Sequence, residues 1–132
     1  MANKFFKCAN GGHILEVFGE FNDKLVCCGE EMKELVANTV DAALEKHTPV
    51  VTVEGNKVVV NVGSAVVGEV EHPMLEEHYI MFIYLETTKG AYRKDLKPGE
   101  KPCAEFLLSE GEKPLAVYEY CNLHGLWKTE IK

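Results

Sequence analysis

The chain has 132 residues and a formal net charge of −7, with 14 basic and 21 acidic side chains. This length allows one ordinary domain, or one domain with a small appendage, to bury a core without the help of disulfides. The acidic balance and the lack of a basic stripe exclude a nucleic-acid surface, and the longest apolar run, YIMFIYL, is far shorter than the roughly 20 residues of a membrane span.

The first 36 residues differ in kind from the rest of the chain. They carry Cys8 before an NGG turn, and the vicinal pair Cys27 and Cys28 before another glycine. We interpret residues 1–36 as a small separate lobe and residues 37–132 as the main domain. Five cysteines are an odd number, and the N-terminus has no apolar segment of signal-peptide length, so we expect reduced thiols and a cytoplasmic location.

Apolar and polar residues alternate with a period of two along most of the main domain. A short helix is permitted only in TVDAALEKH, which ends at His47 because Pro49 prevents continuation. PVVTVEGNKVVVNVG indicates two strands with a turn at Gly55, and HYIMFIYLETTKGAYRKDL repeats the pattern with a turn near Gly90. CAEFLLSE, LAVYEYC and LWKTEI add further short strands. The spacing predicts an all-β fold, an antiparallel β-sandwich.

Four of the five histidines fall at the ends of predicted elements. His47 ends the helical stretch, His72 and His78 come before and at the start of the long strand, and His124 follows Cys121 by three residues. Because loops at one end of a sandwich cluster in space, four imidazoles and one thiolate could converge on one ion. Such a set differs from the closed tetrahedron of structural zinc and leaves one octahedral position open on a redox-active metal.

The motifs EKHTP, HPM and EYCNLHG, together with LVCCGEEMK in the first lobe, resemble the superoxide reductase family, also called desulfoferrodoxin and neelaredoxin. The resemblance spans nearly the whole chain. It implies an immunoglobulin-like sandwich that holds one mononuclear iron per chain and reduces superoxide by one electron to hydrogen peroxide. Carried over motif by motif, it implies four equatorial ligands and one axial ligand, which are His47, His72, His78, His124 and the axial Cys121.

Two residues beside the first ligand match family positions that have assigned roles. By resemblance, Glu45 ligates the oxidised iron and Lys46 presents a positive charge to the incoming superoxide. A local cation matters on this chain, because its net charge of −7 repels the anion. The resemblance also implies rubredoxin as electron donor and a homodimer or homotetramer, and we expect neither a nucleic-acid nor a membrane partner.

The chain departs from the family pattern in two places. The family binds a first-lobe iron with a C-x-x-C pair and a vicinal pair, and Gly11 stands where the second cysteine would be. The remaining sulfurs are those of Cys8, Cys27 and Cys28. His13 could replace the lost ligand, but we favour a lobe that has kept its fold and lost its iron. The second departure is AVVGE at residues 65–69, which lengthens a loop.

Two other classes of protein remain open at this point. A cupredoxin-like electron-transfer protein is also a sandwich with a cysteine and a histidine on its last loop, but its axial methionine follows the last histidine, and none follows His124. A sandwich with a structural zinc would explain Cys121 and some histidines, but it leaves Glu45 and Lys46 without a role. Metal analysis of the purified chain separates the three hypotheses.

Overall fold

The computed structural model describes residues 4–20, 23–39, 47–63 and 72–132. The chain divides into two compact units, Met1–Val36 and Ala37–Lys132. Every strand pair in the described part is antiparallel, which confirms the all-β fold predicted from the sequence. Within these residues no helix is both long and apolar enough to cross a membrane.

Three of the sequence predictions concern segments outside the described residues. The short helix predicted before Pro49 falls on residues 40–46, apart from its two ends. Glu45 and Lys46 belong to the same segment, and the loop extension at residues 65–69 lies in a second one. These predictions therefore stay predictions.

Two small sheets build the first unit. Strand β1 (Lys4–Lys7) lies between β2 (Ile14–Val17) and β5 (Lys33–Leu35), and β3 (Val26–Cys27) pairs with β4 (Glu30–Glu31). Such short strands bury little apolar surface. Among the described residues of this unit, the buried hydrophobic side chains are those of Phe5, Cys8 and Met32. A core of this size is marginal for a fold without a further stabilising element.

The second unit is a sandwich of two antiparallel sheets. Its strands are β6 (Pro49–Glu54), β7 (Lys57–Val62), β8 (Ile80–Thr87), β9 (Gly90–Asp95), β10 (Cys103–Leu107), β11 (Pro114–Cys121) and β12 (Gly125–Glu130). One sheet has the order β10-β7-β6, and the other has the order β12-β11-β8-β9. This architecture confirms the predicted sandwich, including both hairpins, β6–β7 and β8–β9.

Alternation along β7 shows how the sequence builds the core. Val58, Val60 and Val62 are at most 1% exposed, whereas the residues between them are partly exposed, because successive strand side chains point to opposite faces. Gly55 has a φ of 62°, which suits the tight turn before this strand. Full burial of a valine or leucine side chain contributes about 1.5–3 kcal/mol, so this face holds the two sheets together.

One end of the sandwich gathers the loops that carry the predicted ligands. Pro49 at the start of β6 pairs with Val62 at the end of β7, and Ile80 at the start of β8 pairs with Cys121 at the end of β11. The hydroxyl of Thr129 donates to the carbonyl oxygen of Pro49 at 2.6 Å and ties β6 to β12. The segments before β6 and β8 and after β7 and β11 therefore converge.

Candidate metal centre

Four imidazole rings form a near-square at this end of the sandwich. The rings belong, in order around the square, to His47, His72, His78 and His124. Neighbouring ring centroids lie 4.7 to 5.0 Å apart, and neighbouring rings are edge-on, with interplanar angles of 75° to 87°. The diagonal from His47 to His78 is 6.4 Å, close to that of a square with these sides. Imidazoles that ligate one ion in a plane have this arrangement.

The ligand atoms of most of these residues are already close together. Nε2 of His47 lies 2.9 Å from Nδ1 of His124, which in turn lies 3.9 Å from Sγ of Cys121. One ligand atom from each of His47, His78, Cys121 and His124 lies within 4.8 Å of the others. His72 does not belong to this closest group, but its ring lies 4.7 and 4.8 Å from those of His47 and His78.

Backbone hydrogen bonds place the loop that carries two of the rings. The amide of His72 donates to the carbonyl oxygen of Val62 at 3.2 Å, which ties this loop to the end of β7. Leu75 and His78 exchange amide hydrogen bonds of 2.9 and 3.1 Å in an isolated β-bridge. The positions of both histidines therefore follow from the backbone of the loop.

The side chain of Asn122, to which the sequence assigned no role, fastens this loop to the turn after β11. Its Oδ1 accepts a hydrogen bond from the amide of Tyr79 at 2.9 Å, and its Nδ2 donates to the carbonyl oxygen of Glu77 at 3.1 Å. The two bonds hold the segment of His78 against that of Cys121. The available signal was an asparagine between two predicted ligands, since asparagine side chains commonly bridge turns.

Trp127 supports two rings of the square and was also missed. Its ring stacks on that of His47, with centroids 5.0 Å apart and an interplanar angle of 25°. Its indole N–H donates to the carbonyl oxygen of His124 at 3.1 Å. The side chain is 1% exposed, so it positions both residues from inside the protein.

His72 is prepared to act as a ligand. Its Nδ1 lies 2.8 Å from the carbonyl oxygen of Pro73 and donates its proton there, which leaves the lone pair on Nε2. This Nε2 is buried and has no hydrogen-bond partner among the described residues. Burial lowers the pKa of His72 to about 4, so the ring is neutral near pH 7. A neutral imidazole with an unused buried nitrogen fits a metal ion.

The turn from β11 to β12 supplies a sulfur together with donors that act on it. Burial raises the pKa of the Cys121 thiol, and hydrogen bonds from the backbone amides of Leu123 and His124 act in the opposite direction. Amide donors stabilise a thiolate, which is the form that binds metals. Gly125 has a φ of 83°, so the chain can turn back into β12 directly after His124.

A buried carboxyl group close to this sulfur was not anticipated. Glu119 is 0% exposed, and neither carboxyl oxygen has a hydrogen-bond partner in the described part of the chain. Burial raises its pKa well above the usual range. Glu119 lies two residues before Cys121 and therefore on the same face of β11, where an ionised carboxylate would raise the pKa of that thiol beyond the effect of burial. The available signal was one acidic residue within LAVYEYC.

A second group of ligand atoms lies in the first unit. The sulfurs of Cys8, Cys27 and Cys28, which the sequence identified as the remainder of a four-cysteine site, lie within 4.8 Å of one another. A hydrogen bond between two of the thiols lowers the pKa of Cys8 and raises that of Cys27 to about 12. The structure thus brings together the predicted ligands within the second unit and, separately, the three remaining cysteines within the first unit.

Comparison with known proteins agrees with both units. Residues 39–130 match the family model for desulfoferrodoxin, and residues 2–35 match the model for the desulfoferrodoxin N-terminal domain. The desulfoferrodoxin of Syntrophotalea carbinolica is 49% identical over 132 residues, which cover 98% of this chain and 99% of that protein. The desulfoferrodoxin of Nitratidesulfovibrio vulgaris is 46% identical over 132 residues, with coverage of 98% and 99%.

A solved structure extends the likeness to three dimensions. The superoxide reductase from Treponema pallidum superposes with a TM-score of 0.80 at 37% identity, covering 98% of this chain and 100% of that chain. The family models and the relatives thus match this chain over nearly its full length, and the solved structure matches its fold. The chain belongs to the desulfoferrodoxin family.

Proposed function

We propose that the chain is a superoxide reductase that converts superoxide to hydrogen peroxide in a one-electron step at a single non-haem iron. The residues proposed as iron ligands are His47, His72, His78, His124 and Cys121. The observation that carries the proposal is the near-square of four imidazoles beside a buried cysteine. The name of the matching Treponema pallidum structure supports the same activity.

The donor set suits this chemistry. When bound, iron supplies the electron, because the ferrous ion becomes ferric as superoxide and two protons become hydrogen peroxide. If His47, His72, His78, His124 and Cys121 held the iron, these five ligands would leave one coordination position for a small anion. The thiolate of Cys121 increases electron density at the site, and the amides of Leu123 and His124 moderate its donation.

Two further residues complete the proposed site. We assign Lys46 to the attraction of superoxide and Glu45 to ligation of the oxidised iron. The family resemblance supports both roles, as does the position of the two residues directly before His47. In general, a cation near an open coordination position focuses an incoming anion even on a protein of net negative charge.

The resemblance also supports several proposals about the setting of the enzyme. Residues 1–36 are a desulforedoxin-like lobe that lacks one cysteine ligand, and residues 37–132 are the catalytic domain. The two compact units and the two family models agree with these boundaries. Rubredoxin is the proposed electron donor, the proposed location is the cytoplasm, and the proposed assembly is a homodimer or homotetramer. Turnover with reduced rubredoxin and light scattering test the donor and the assembly.

The stoichiometry of the products tests the activity. Iron-loaded protein is reduced and mixed with superoxide, and hydrogen peroxide and dioxygen are both measured. A reductase forms one hydrogen peroxide for each superoxide and no dioxygen. Equal amounts of peroxide and dioxygen would indicate a dismutase, and a protein that retains copper or zinc but no iron in this unit would support the electron-transfer or structural alternative. Either of these results contradicts the proposal.

A further inference from the structure

Three cysteines of the first unit have the spacing of a tetrahedral metal site. Sγ of Cys28 lies 4.0 Å from Sγ of Cys8 and 3.7 Å from Sγ of Cys27. In a tetrahedron with metal–sulfur bonds of about 2.3 Å, neighbouring sulfurs are about 3.8 Å apart. Two edges of such a tetrahedron are therefore in place, and the third pair of sulfurs, in Cys8 and Cys27, lies within 4.8 Å.

The backbone around these sulfurs is also adapted to them. Cys28 has a φ of 54°, a left-handed conformation that is unfavourable for a residue with a side chain and that tends to persist at functional positions. The amide of Gly11 donates to Sγ of Cys8 at 3.3 Å, and such a bond stabilises a thiolate ligand. These features point to a site that binds a ligand, beyond the accidental proximity of three thiols.

His13 occupies the space where the missing sulfur would lie. A Cβ atom at Gly11 would come within 2.6 Å of Nδ1 of His13 and 3.5 Å of Sγ of Cys8. The amide of Cys8 donates to the carbonyl oxygen of His13 at 3.0 Å, so the two residues face each other where β1 and β2 separate. Nε2 of His13 lies 3.2 Å from Sγ of Cys27. The imidazole therefore already touches the group of sulfurs.

A small movement would make this ring a fourth ligand. His13 is exposed, and its nitrogens lie outside the group of three sulfurs that are mutually within 4.8 Å. Exposed side chains change rotamer rapidly, so rotation about its side-chain bonds can bring a nitrogen to the fourth corner. The ring needs no backbone rearrangement to stay next to Cys27, because the loop from Cys8 to His13 is closed by its own hydrogen bonds.

We propose that the first unit binds a structural zinc ion through Cys8, Cys27, Cys28 and His13. The four-thiolate iron that the family pattern implies does not fit here, because Gly11 offers no sulfur and the His13 ring fills its place. The family resemblance favoured a lobe without iron, and the geometry adds a different metal with a histidine as the replacement ligand. The proposal is independent of superoxide chemistry in the second unit.

The donor set favours zinc over iron. Replacing one thiolate by a neutral imidazole removes a negative charge, and in iron–sulfur centres exchange of cysteine for histidine raises the reduction potential. An iron in this site would therefore be ferrous, so it would compete with other divalent ions. For a given set of ligands zinc binds more tightly than ferrous iron, and three cysteines with one histidine are a known structural zinc set.

The composition of the first unit explains why a metal would be kept there. Only Phe5, Cys8 and Met32 are buried hydrophobic residues among those described in this unit. Domains below about 40 residues usually need disulfides, metals or oligomerisation to fold, and the cysteines here are free. A zinc ion that connects the β1–β2 loop to the β3–β4 turn would supply the missing stabilisation.

Metal analysis of the full-length protein tests the proposal. Protein expressed with both iron and zinc should contain one zinc per chain besides the iron of the second unit. His13→Ala should lose the zinc and keep the iron. Cys103→Ser removes a thiol from the second unit and is the matched control, which should retain both metals. Absence of zinc from the unchanged protein, or full retention of zinc in His13→Ala, would overturn the proposal.

A double variant tests the same geometry in the opposite direction, and it remains informative if His13→Ala unfolds the lobe. Gly11→Cys together with His13→Ala removes the ring that blocks position 11 and restores four thiolates. This variant, loaded with iron, should acquire the visible charge-transfer bands of a four-sulfur ferric site. Gly11→Cys alone should bind much less iron in the lobe, because its Cβ meets the His13 ring. Equal iron uptake by the two variants contradicts the placement of His13.

Discussion

The two ligand clusters lie in opposite surroundings. In the second unit His47 and His72 are each 2% exposed and Cys121 is fully buried, in front of a core built from both sheets. In the first unit Cys27 is half-buried and Cys28 is exposed, and the unit has very little core. A large core can hold ligands in place before a metal arrives, whereas a small lobe needs the metal as part of its structure. On the two proposals above, the cluster of the second unit serves chemistry and the cluster of the first unit serves folding.

Removal of both metals should produce the largest difference in stability between the two units. We expect the amides of β1, β2 and β5 to lose protection from hydrogen exchange, while those of β7, β8 and β11 retain it. The physical reason is that structural zinc contributes about 10–16 kcal/mol of apparent binding free energy in small zinc domains, more than so small a core supplies. Hydrogen exchange followed by mass spectrometry measures this. Equal protection of the lobe with and without metal would show that its core suffices.

Cys121→Ser should abolish activity while the sandwich remains folded. The substitution removes the soft donor, so the sulfur-to-iron charge-transfer band should vanish. The loss of activity should exceed the roughly 100-fold that removal of an outer-shell partner can cost. Visible spectra and superoxide kinetics measure the two effects. Cys103→Ser is the control and should change neither, and retention of the band in Cys121→Ser would mean that another cysteine is the ligand.

Asn122→Ala should loosen the site without removing a ligand. Loss of the bonds to Tyr79 and Glu77 frees the segment of His78 from the turn after β11. We expect iron affinity to fall by roughly 10-fold to 100-fold, the range typical of outer-shell partners. Competition with a chelator measures the affinity. Asn56→Ala, which removes a hydrogen bond to Leu108 in a distant hairpin, should leave it unchanged, and an equal loss in both variants would argue against a local role.

Lys46→Ala should slow the encounter with superoxide and leave later proton-dependent steps nearly unchanged. A cation beside the open position can raise the encounter rate by roughly 10-fold, and salt screens the effect. The variant should therefore show a slower bimolecular rate with a flatter salt dependence. Pulse radiolysis at low and high salt measures both. Lys113→Ala, at the opposite end of β11 from Cys121, is the control, and an unchanged rate for Lys46→Ala would remove the steering role.

Glu119→Gln should change the stability of the sandwich, and this change should depend on pH. Burial raises the pKa of Glu119 in the folded state above its ordinary value of 4.5, so the folded state binds the proton more tightly than the unfolded state. As pH rises above this value, only the unfolded state releases the proton, and stability falls by at most about 1.4 kcal/mol per pH unit. Gln carries no such proton. The melting temperature of the variant relative to the parent should therefore increase with pH, and a constant difference would show that Glu119 is ionised when folded.

The regular parts of the sandwich could be predicted because they depend on local pattern. The alternation in KVVVNV places three valines on the core face of β7, and the turn at Gly55 follows from glycine's tolerance of positive φ. The cysteine and histidines at strand ends could be predicted as a group for the same reason, since the ends of the strands follow from the pattern. The match to two family models supports a fold assignment over nearly the whole chain.

The supporting residues could not be predicted, because their roles depend on partners far away in the sequence. Asn122 contacts Tyr79 and Glu77 across more than forty residues, and Trp127 stacks on a histidine from the other side of the sandwich. Both faces of β11 are buried, and this holds for every residue from Ala116 to Cys121. The alternation in LAVYEYC therefore does not reveal that its acidic residue lies in the interior. Long-range packing alone decides which side chains meet.

The sequence by itself determined the antiparallel sandwich, the division into a lobe and a main domain as an expectation, and the residue types available at the end of each strand. It did so because alternation and turn residues act over a few positions. Only the tertiary structure decided that four imidazoles form a square, that Glu119 is buried beside Cys121, and that the His13 ring lies where a sulfur is missing. The physical reason is that each of these depends on the distance between atoms of separate strands or loops, which the order of residues along the chain does not contain.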